Sequence, residues 1–344
     1  MLALFLTNTA FSYPDISQQS DTYLEDLVTQ NHFSGSVFIA HKGSIILDKG
    51  YGYANLEHTV QNTPETKFRI RSITKPFTAT LIMQLQEKEL LRTTDTLKTY
   101  IPDFPHGDII TIAHLLSHTS GIFNLSNVPG IEVLLKSPAT IQEVIATFKD
   151  KPLEFQPGKM FKYSNSNFML LTSIIEQVTG KPYAQVLQEN ILDPLEMKNS
   201  GYYTHSEILK NNASGYVLEN GTLINAPYFD SCWPLGNGGM YSTTHDLYLF
   251  DRALYTDSLL SKKSRENMFA IHAHMPDEHA IDYGYGWEIG KVNGKKYVSH
   301  WGIWAGFTSD FLRFPEDDLV IIVLSNFEHT PIRTISRDLA RYVS

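Results

Sequence analysis

Ser72-Ile73-Thr74-Lys75 sets a hydroxyl and an amine three residues apart. On a helix, residues at that spacing share a face, so the lysine can reach the serine. A serine hydroxyl becomes a useful nucleophile only when a neighbour takes its proton. A lysine can take it when neutral, and burial or a nearby dipole or cation lowers its pKa towards that state. A helix start at this point adds partial positive charge beside any anion that forms. No other serine here has a lysine three residues on. A pattern of two fixed residues is nevertheless expected about once by chance at average composition. An exposed serine and lysine on a first helical turn would look the same, so the surroundings have to decide.

Two further segments carry suitable chemistry. In Pro157-Gly158-Lys159-Met160-Phe161-Lys162-Tyr163-Ser164-Asn165 a Pro-Gly turn runs into Tyr-x-Asn at a helix start. A tyrosine beside a lysine can relay a proton, and an asparagine can hold both a substrate amide and the lysine. Tyr53-Ala54-Asn55 has the same pattern but precedes the serine, in or beside a predicted strand. The other segment is His300-Trp301-Gly302, followed by Ile303-Trp304-Ala305-Gly306-Phe307. A glycine on a strand permits close backbone approach, and an N–H near it could pair with that of Ser72 as an oxyanion hole.

Competing chemistry is weaker. His272-Ala273-His274-Met275-Pro276-Asp277-Glu278-His279 is similar to a His-x-His-x-Asp-His zinc motif, but extra residues before and after Asp277 spoil the spacing. A polar surface loop is the alternative. There is no Gly-x-Ser-x-Gly elbow and no His-Glu-x-x-His. Cys232 is the sole cysteine; it could be a nucleophile, but a small buried apolar residue is the simpler reading. His118 reads as structural. Tyr228, Trp233, Tyr283 and Trp304 could line a pocket or pack in the core.

The elements that must position these residues follow from periodicity. Asp21 to Gln30 is predicted as an amphipathic helix. Ser34 to Ala40 and Ser44 to Tyr51 are predicted strands joined by a His41-Lys42-Gly43 turn. Phe68 to Arg71 leads into Ser72, and a helix follows from about Lys75 to Leu90, with Phe77, Leu81 and Leu85 four residues apart. To about Leu195 the pattern is mostly helical: Thr111 caps Ile112 to Leu116, with a stop at Ser120-Gly121, and further helices cover Asn165 to Thr179 and Pro182 to Asn190. Residues 200–240 read as loops, and Thr243 to Leu254 as a helix. Strands are predicted at Tyr283 to Ile289, Lys296 to Trp301, Phe307 to Phe314 and Leu319 to Ser325, with a turn at Pro315-Glu316-Asp317-Asp318. Pro331 to Val343 closes as a helix. This order predicts an α+β fold: an antiparallel sheet built from both chain ends, flanked by helices, with a mostly helical lobe inserted. The expected division is 15–70 with 241–344 for the sheet lobe and 71–240 for the helical lobe, the active site lying between them.

The 344 residues carry a net charge of −9, 42% hydrophobic residues and no Lys/Arg run. This excludes an obvious nucleic-acid footprint. No stretch reaches the roughly 18 to 20 apolar residues of a membrane span. Residues 1–14 read either as a clipped export signal, which would imply a periplasmic or secreted location, or as a frayed terminus of a cytoplasmic protein.

Taken together, the motifs resemble the serine β-lactamase and penicillin-binding family, most closely its class C, D,D-peptidase and esterase branch. The resemblance runs from about Phe33 to Leu324. It includes Phe68-Arg69-Ile70-Arg71-Ser72-Ile73-Thr74-Lys75, Leu115 to Gly121, Phe155-Gln156-Pro157-Gly158, Tyr163-Ser164-Asn165, Gly238 to Thr243, His300-Trp301-Gly302 and Gly306-Phe307. It implies that Ser72 attacks a carbonyl, that Lys75 and Tyr163 share the proton traffic, and that Asn165, His300, Trp301 and Gly302 bind substrate. The N–H groups of Ser72 and Ile303 would form the oxyanion hole. No metal or other cofactor is implied, and the partner would be a small-molecule or peptide substrate.

The third motif departs from the Lys-Thr-Gly or His-Thr-Gly of relatives. Histidine is largely uncharged near neutral pH, and tryptophan lacks the threonine hydroxyl. Weakened carboxylate recognition is expected, which favours an esterase, amidase or peptidase over a β-lactamase. A penicillin-binding sensor that is acylated without turnover is a further alternative. Trp301 could also point away from the substrate, because alternate strand positions face opposite sides.

Overall fold

The computed structural model describes residues 12–233, 235–276 and 281–343. Eight antiparallel strands form the main sheet, in the spatial order 273–274, 282–283, 288–292, 295–304, 307–314, 319–325, 35–41 and 44–51. Strand Gly35–His41 pairs with Leu319–Ser325, so the two ends of the chain meet inside one sheet. The sheet is thus built as the element order predicts.

Its two faces separate by the two-residue period of a strand. Val37, Ile39, Leu312, Ile321 and Val323 face the terminal helices Tyr13–Thr29 and Ile332–Val343. Phe38, Ala40, Phe311, Val320 and Ile322 face the helices Thr74–Glu87 and Thr244–Ala253. Burial on both faces explains why Leu319–Ser325 is apolar almost throughout.

Local signals account for most element ends. Lys42 and Gly43 take φ of 50° and 74°, the left-handed pair that a two-residue hairpin requires. Thr111 caps Ile112–Leu116 by accepting from the His114 N–H. Gly180, at φ 67°, stops Asn165–Thr179.

Several boundaries differ from the sequence reading, four of them with a clear local cause or consequence. The first helix begins at Tyr13, because Ser12 and Asp15 form a capping box and Pro14 sits in the first turn; residues 1–11 lie outside the described residues. The helix after Thr111 ends at Leu116, before Ser120-Gly121, with His118 at φ 56°. The region 200–240 contains short strands at Gly201–Tyr202, Tyr216–Glu219, Thr222–Asn225 and Met240–Ser242. The expected strand Tyr283 to Ile289 is split into Asp282–Tyr283 and Glu288–Val292. Gly286 turns the chain there at φ 75°, and a Cβ on it would stand 2.9 Å from Ala79 Cβ and 3.1 Å from the Lys75 carbonyl. The bend presses directly on the helix that carries Lys75.

Candidate active site

Ser72 lies in a single 3-10 turn, Arg71–Ile73, between the short strand Phe68–Arg69 and the helix Thr74–Glu87. The turn is anchored from both sides: the Ile70 N–H donates to the Met240 carbonyl at 3.0 Å, and Ser309 Oγ donates to the Ile70 carbonyl at 2.7 Å. Ser72 is therefore held ahead of the helix, with Lys75 in the first turn behind it.

Lys75 is fully buried. Its Nζ stands 3.0 Å from Ser72 Oγ, 3.0 Å from Asn165 Oδ1 and 2.7 Å from the Asn237 carbonyl. No carboxylate among the described residues pairs with it, and the loss of hydration holds its pKa well below the ordinary lysine value. Tyr163 donates to the same Ser72 Oγ at 2.9 Å. Burial raises the Tyr163 phenol, while the Ser72 hydrogen bond opposes the shift. Hydroxyl, amine and phenol thus meet at one oxygen, from positions spread over 92 residues of chain.

Each partner is braced. The Asn165 N–H donates to Asn124 Oδ1, and Asn165 Nδ2 donates to Ser126 Oγ, both at 3.0 Å. The Tyr163 ring packs on His118 at 4.3 Å between centroids. His118 Nδ1 lies 3.1 Å from Asn167 Nδ2 and accepts from the Ser164 N–H at 3.3 Å. His118 is buried and supports Tyr163 from behind, a structural placement.

Across from this cluster runs strand Lys295–Trp304. Its pairing with Glu288–Val292 ends at Ser299, so beyond that residue one edge has no strand partner among the described residues. Gly302 passes so close to the Ser72 turn that a Cβ there would lie 2.6 Å from the Ile70 carbonyl oxygen and 2.7 Å from Ser72 N. Only glycine fits between two backbones at that distance.

A family model described as Beta-lactamase matches residues 21–343. The chain is 34% identical over 316 residues to a putative penicillin-binding protein, PbpX, of Bacillus subtilis, covering 92% of this chain and 75% of that one. The chain belongs to the beta-lactamase family. Among solved structures, an octameric penicillin-binding protein homologue from Pyrococcus abyssi superposes with a TM-score of 0.84 at 30% identity, over 94% of this chain and 76% of that one. A D-amino acid amidase from Ochrobactrum anthropi shares the fold at a TM-score of 0.84 and 23% identity, over 96% and 98% of the two chains. The beta-lactamase family is part of the serine hydrolase superfamily, and this chain carries the corresponding mixed fold with its large antiparallel sheet.

In this family member two of the expected substrate contacts lie elsewhere. The Trp301 indole N–H donates to Glu288 at 3.0 Å and sits under Arg333, on the face covered by the closing helix. Strand alternation turns it away from Ser72. His300 is buried, with Nδ1 2.8 Å from the Trp301 carbonyl and Nε2 3.0 Å from the Tyr283 hydroxyl. The carbonyl can only accept, so Nδ1 carries the proton and Nε2 accepts from Tyr283. Burial, with Lys75 adding to it, pushes His300 down to about 3. It is a neutral ring behind Tyr163, with both nitrogens occupied.

Ile303 and Gly302 do border the site. The cleft beside Ser72, about 310 Å³ in volume, is lined by the apolar Leu125, Ile131, Leu135, Phe229, Trp233, Ile303 and Trp304 and by the polar Arg71, Ser126, Glu132, Asn165 and Asn237. Of the four aromatics singled out, Trp233 and Trp304 line it; Tyr283 lies behind His300, and Tyr228 is exposed.

Asn237 escaped the sequence reading, because a main-chain carbonyl leaves no signature beyond the neighbouring glycines Gly236 and Gly238. Cys232 accepts from the Ala139 N–H at 3.0 Å, and burial followed by Asp230 raises its thiol to about 12, so it is no ready nucleophile. His272 and His274 stand apart from this cleft, and the rest of that segment, Asp277 to His279, lies outside the described residues. No cluster of metal-ligating side chains occurs among the described residues. No described helix is long and apolar enough to cross a membrane.

Proposed function

We propose that this protein is a serine hydrolase that acts through an acyl-enzyme on Ser72, with an ester, an amide or a D-amino-acid peptide as substrate. The observation that carries this reading is the convergence of Lys75 Nζ and the Tyr163 hydroxyl on Ser72 Oγ, at 3.0 and 2.9 Å. A neutral lysine has two N–H groups for Asn165 and the Asn237 carbonyl and one lone pair for the serine proton. The lowered Lys75 and raised Tyr163 favour neutral amine with neutral phenol over ammonium with phenolate.

Lys75 takes the Ser72 proton as Oγ bonds to the substrate carbonyl carbon. The oxyanion meets the N–H groups of Ser72 and Ile303. As the intermediate collapses, the bond to the leaving atom breaks, and Tyr163 hands it a proton that Lys75 resupplies. Water then attacks the ester on Ser72 and loses its proton to the same pair, which returns it to Ser72 Oγ as the acyl–Oγ bond breaks and the acid leaves. Asn165 orients the substrate and holds Lys75.

The third motif supports the ester, amide or peptide reading over a β-lactamase. A neutral, occupied His300 and an averted Trp301 offer no cation to a substrate carboxylate on that side.

The test is turnover of a short-chain nitrophenyl ester and of a chromogenic cephalosporin by wild type and Ser72→Ala. Ester turnover that falls about a thousandfold or more in the variant, as loss of a nucleophile does, with slow cephalosporin turnover in wild type, is the expected result. Fast cephalosporin turnover would indicate a β-lactamase. A burst without steady turnover would indicate an acylated binder. Ester turnover unchanged by Ser72→Ala would end the acyl-enzyme reading.

A further inference from the structure

Arg71, next to Ser72, is 6% exposed and forms no ion pair among the described residues. Its guanidinium has five N–H donors. The hydrogen bond it makes runs from Nη2 to the Ala305 carbonyl at 3.3 Å, and its Nε is buried without a protein acceptor. The head lies between Trp304 and Phe307, at 5.4 and 5.6 Å from the ring centres. Asp230 accepts from the Cys232 N–H and the Tyr228 hydroxyl; Glu328, which accepts from the Gly306 N–H, acts on Arg71 through space without forming an ion pair with it.

Arg69 repeats the pattern, with one hydrogen bond to Tyr203 and a buried, unpartnered Nε. The two arginines line a small recess that shares Arg71, Phe229, Gly238 and Trp304 with the main cleft.

The backbone makes this choice costly. Arg71 sits at φ 51°, a conformation that glycine adopts freely and other residues adopt against strain. A buried cation with no ion-pair partner, only partly compensated by the more distant Glu328, is a second cost. A ligand carboxylate would relieve that second cost with charge-assisted, two-pronged hydrogen bonds.

Its side of the site can be assigned. On the reading above Tyr163 protonates the leaving group; the cleft that contains Arg71 is lined by Ser72, Asn165 and Ile303 but not by Tyr163, which on that reading leaves it to the acyl portion.

We infer that Arg71 binds a carboxylate at the far end of the acyl group, so that the preferred substrates are esters or amides of acyl groups bearing a second, free carboxylate. Apolar walls would hold the chain between the two ends. The inference rests on the Ser72 acyl-enzyme reading.

The experiment compares kcat/KM for nitrophenyl butanoate and for the mono-nitrophenyl ester of glutaric acid, with Ser72 labelling by a neutral fluorophosphonate run alongside. The anionic ester should be preferred by about tenfold or more, as expected for a charge-assisted contact. Arg71→Gln should bring the ratio near one, as should Arg71→Gly, which suits the positive φ; Arg71→Lys should keep part of it. A wild-type ratio near one, with Ser72 labelled and butanoate hydrolysed, overturns the inference and leaves the acyl-enzyme reading standing. A preference that survives Arg71→Gln or Arg71→Gly in labelled protein also overturns it. Absence of Ser72 labelling in wild type overturns both.

Discussion

A lysine amine, a phenol and a serine hydroxyl share one hydrogen-bonded centre, and their protonation states decide the chemistry. Lys75 loses its proton below its ordinary value of 10.5, whereas Tyr163 keeps its proton beyond 10.0. Activity on a neutral ester should therefore climb with pH as Lys75 deprotonates, and hold past neutrality until Tyr163 ionises. Tyr163→Phe should cut kcat about a hundredfold or more, the usual worth of a positioned proton donor, and leave the acid limb where it was. Profiles of kcat/KM against pH for both proteins check this; an acid limb that moves in Tyr163→Phe would make the phenolate the base. At this scale Ser72, Lys75, Tyr163 and Asn165 were legible because their types and order carry chemistry. The Trp301 indole turns away from the cleft, as strand alternation had allowed, whereas His300, on the other side of the strand, faces Tyr163 but is buried behind it with both nitrogens occupied.

The elements act by bringing backbones together at fixed points. Strand Lys295–Trp304 runs against the Ser72 turn at Gly302, where the nearest atoms to an added Cβ are main chain and Arg71 Cβ rather than the flexible end of a side chain. Gly302→Ala should force the strand away from the turn. A loss of about 1–3 kcal/mol in stability is expected for such overpacking, with ester kcat/KM falling as the Ile303 N–H moves away from Ser72. Urea unfolding and steady-state kinetics measure the two effects; wild-type values for both would remove Gly302 from the site's architecture. Hairpins and caps were readable here because they depend on a few local residues. The bend at Gly284–Trp287 was not, because the sequence from Tyr283 to Ile289 alternates like a strand, and only contact with the Lys75 helix requires the break.

Across the whole molecule, the sheet and its closing helix are tied through a buried acid. Glu288 is 4% exposed, receives Trp301 at 3.0 Å and Arg333 at 2.9 Å, and rises from 4.5 to about 7, chiefly through burial. A carboxyl with a raised folded pKa binds its proton more tightly folded than unfolded. Its contribution to stability is full below 4.5 and is lost as pH rises through about 7. Glu288→Gln should remove that part of the pH dependence, so the stability difference between wild type and variant should change across this window. Urea titrations at several pH values test it, and a constant difference would refute it.

Composition, periodicity and motif order were enough to establish the α+β class, the sheet shared by the chain ends and the family resemblance, because strands, caps and nucleophile motifs are written in nearby residues. What tertiary structure alone decided was which groups converge. The Asn237 carbonyl reaches Lys75, Trp301 turns to Glu288, and Arg71 is buried without an ion-pair partner among the described residues, each through contacts between segments far apart in the chain. Such contacts follow from packing the whole core, and no local pattern encodes them.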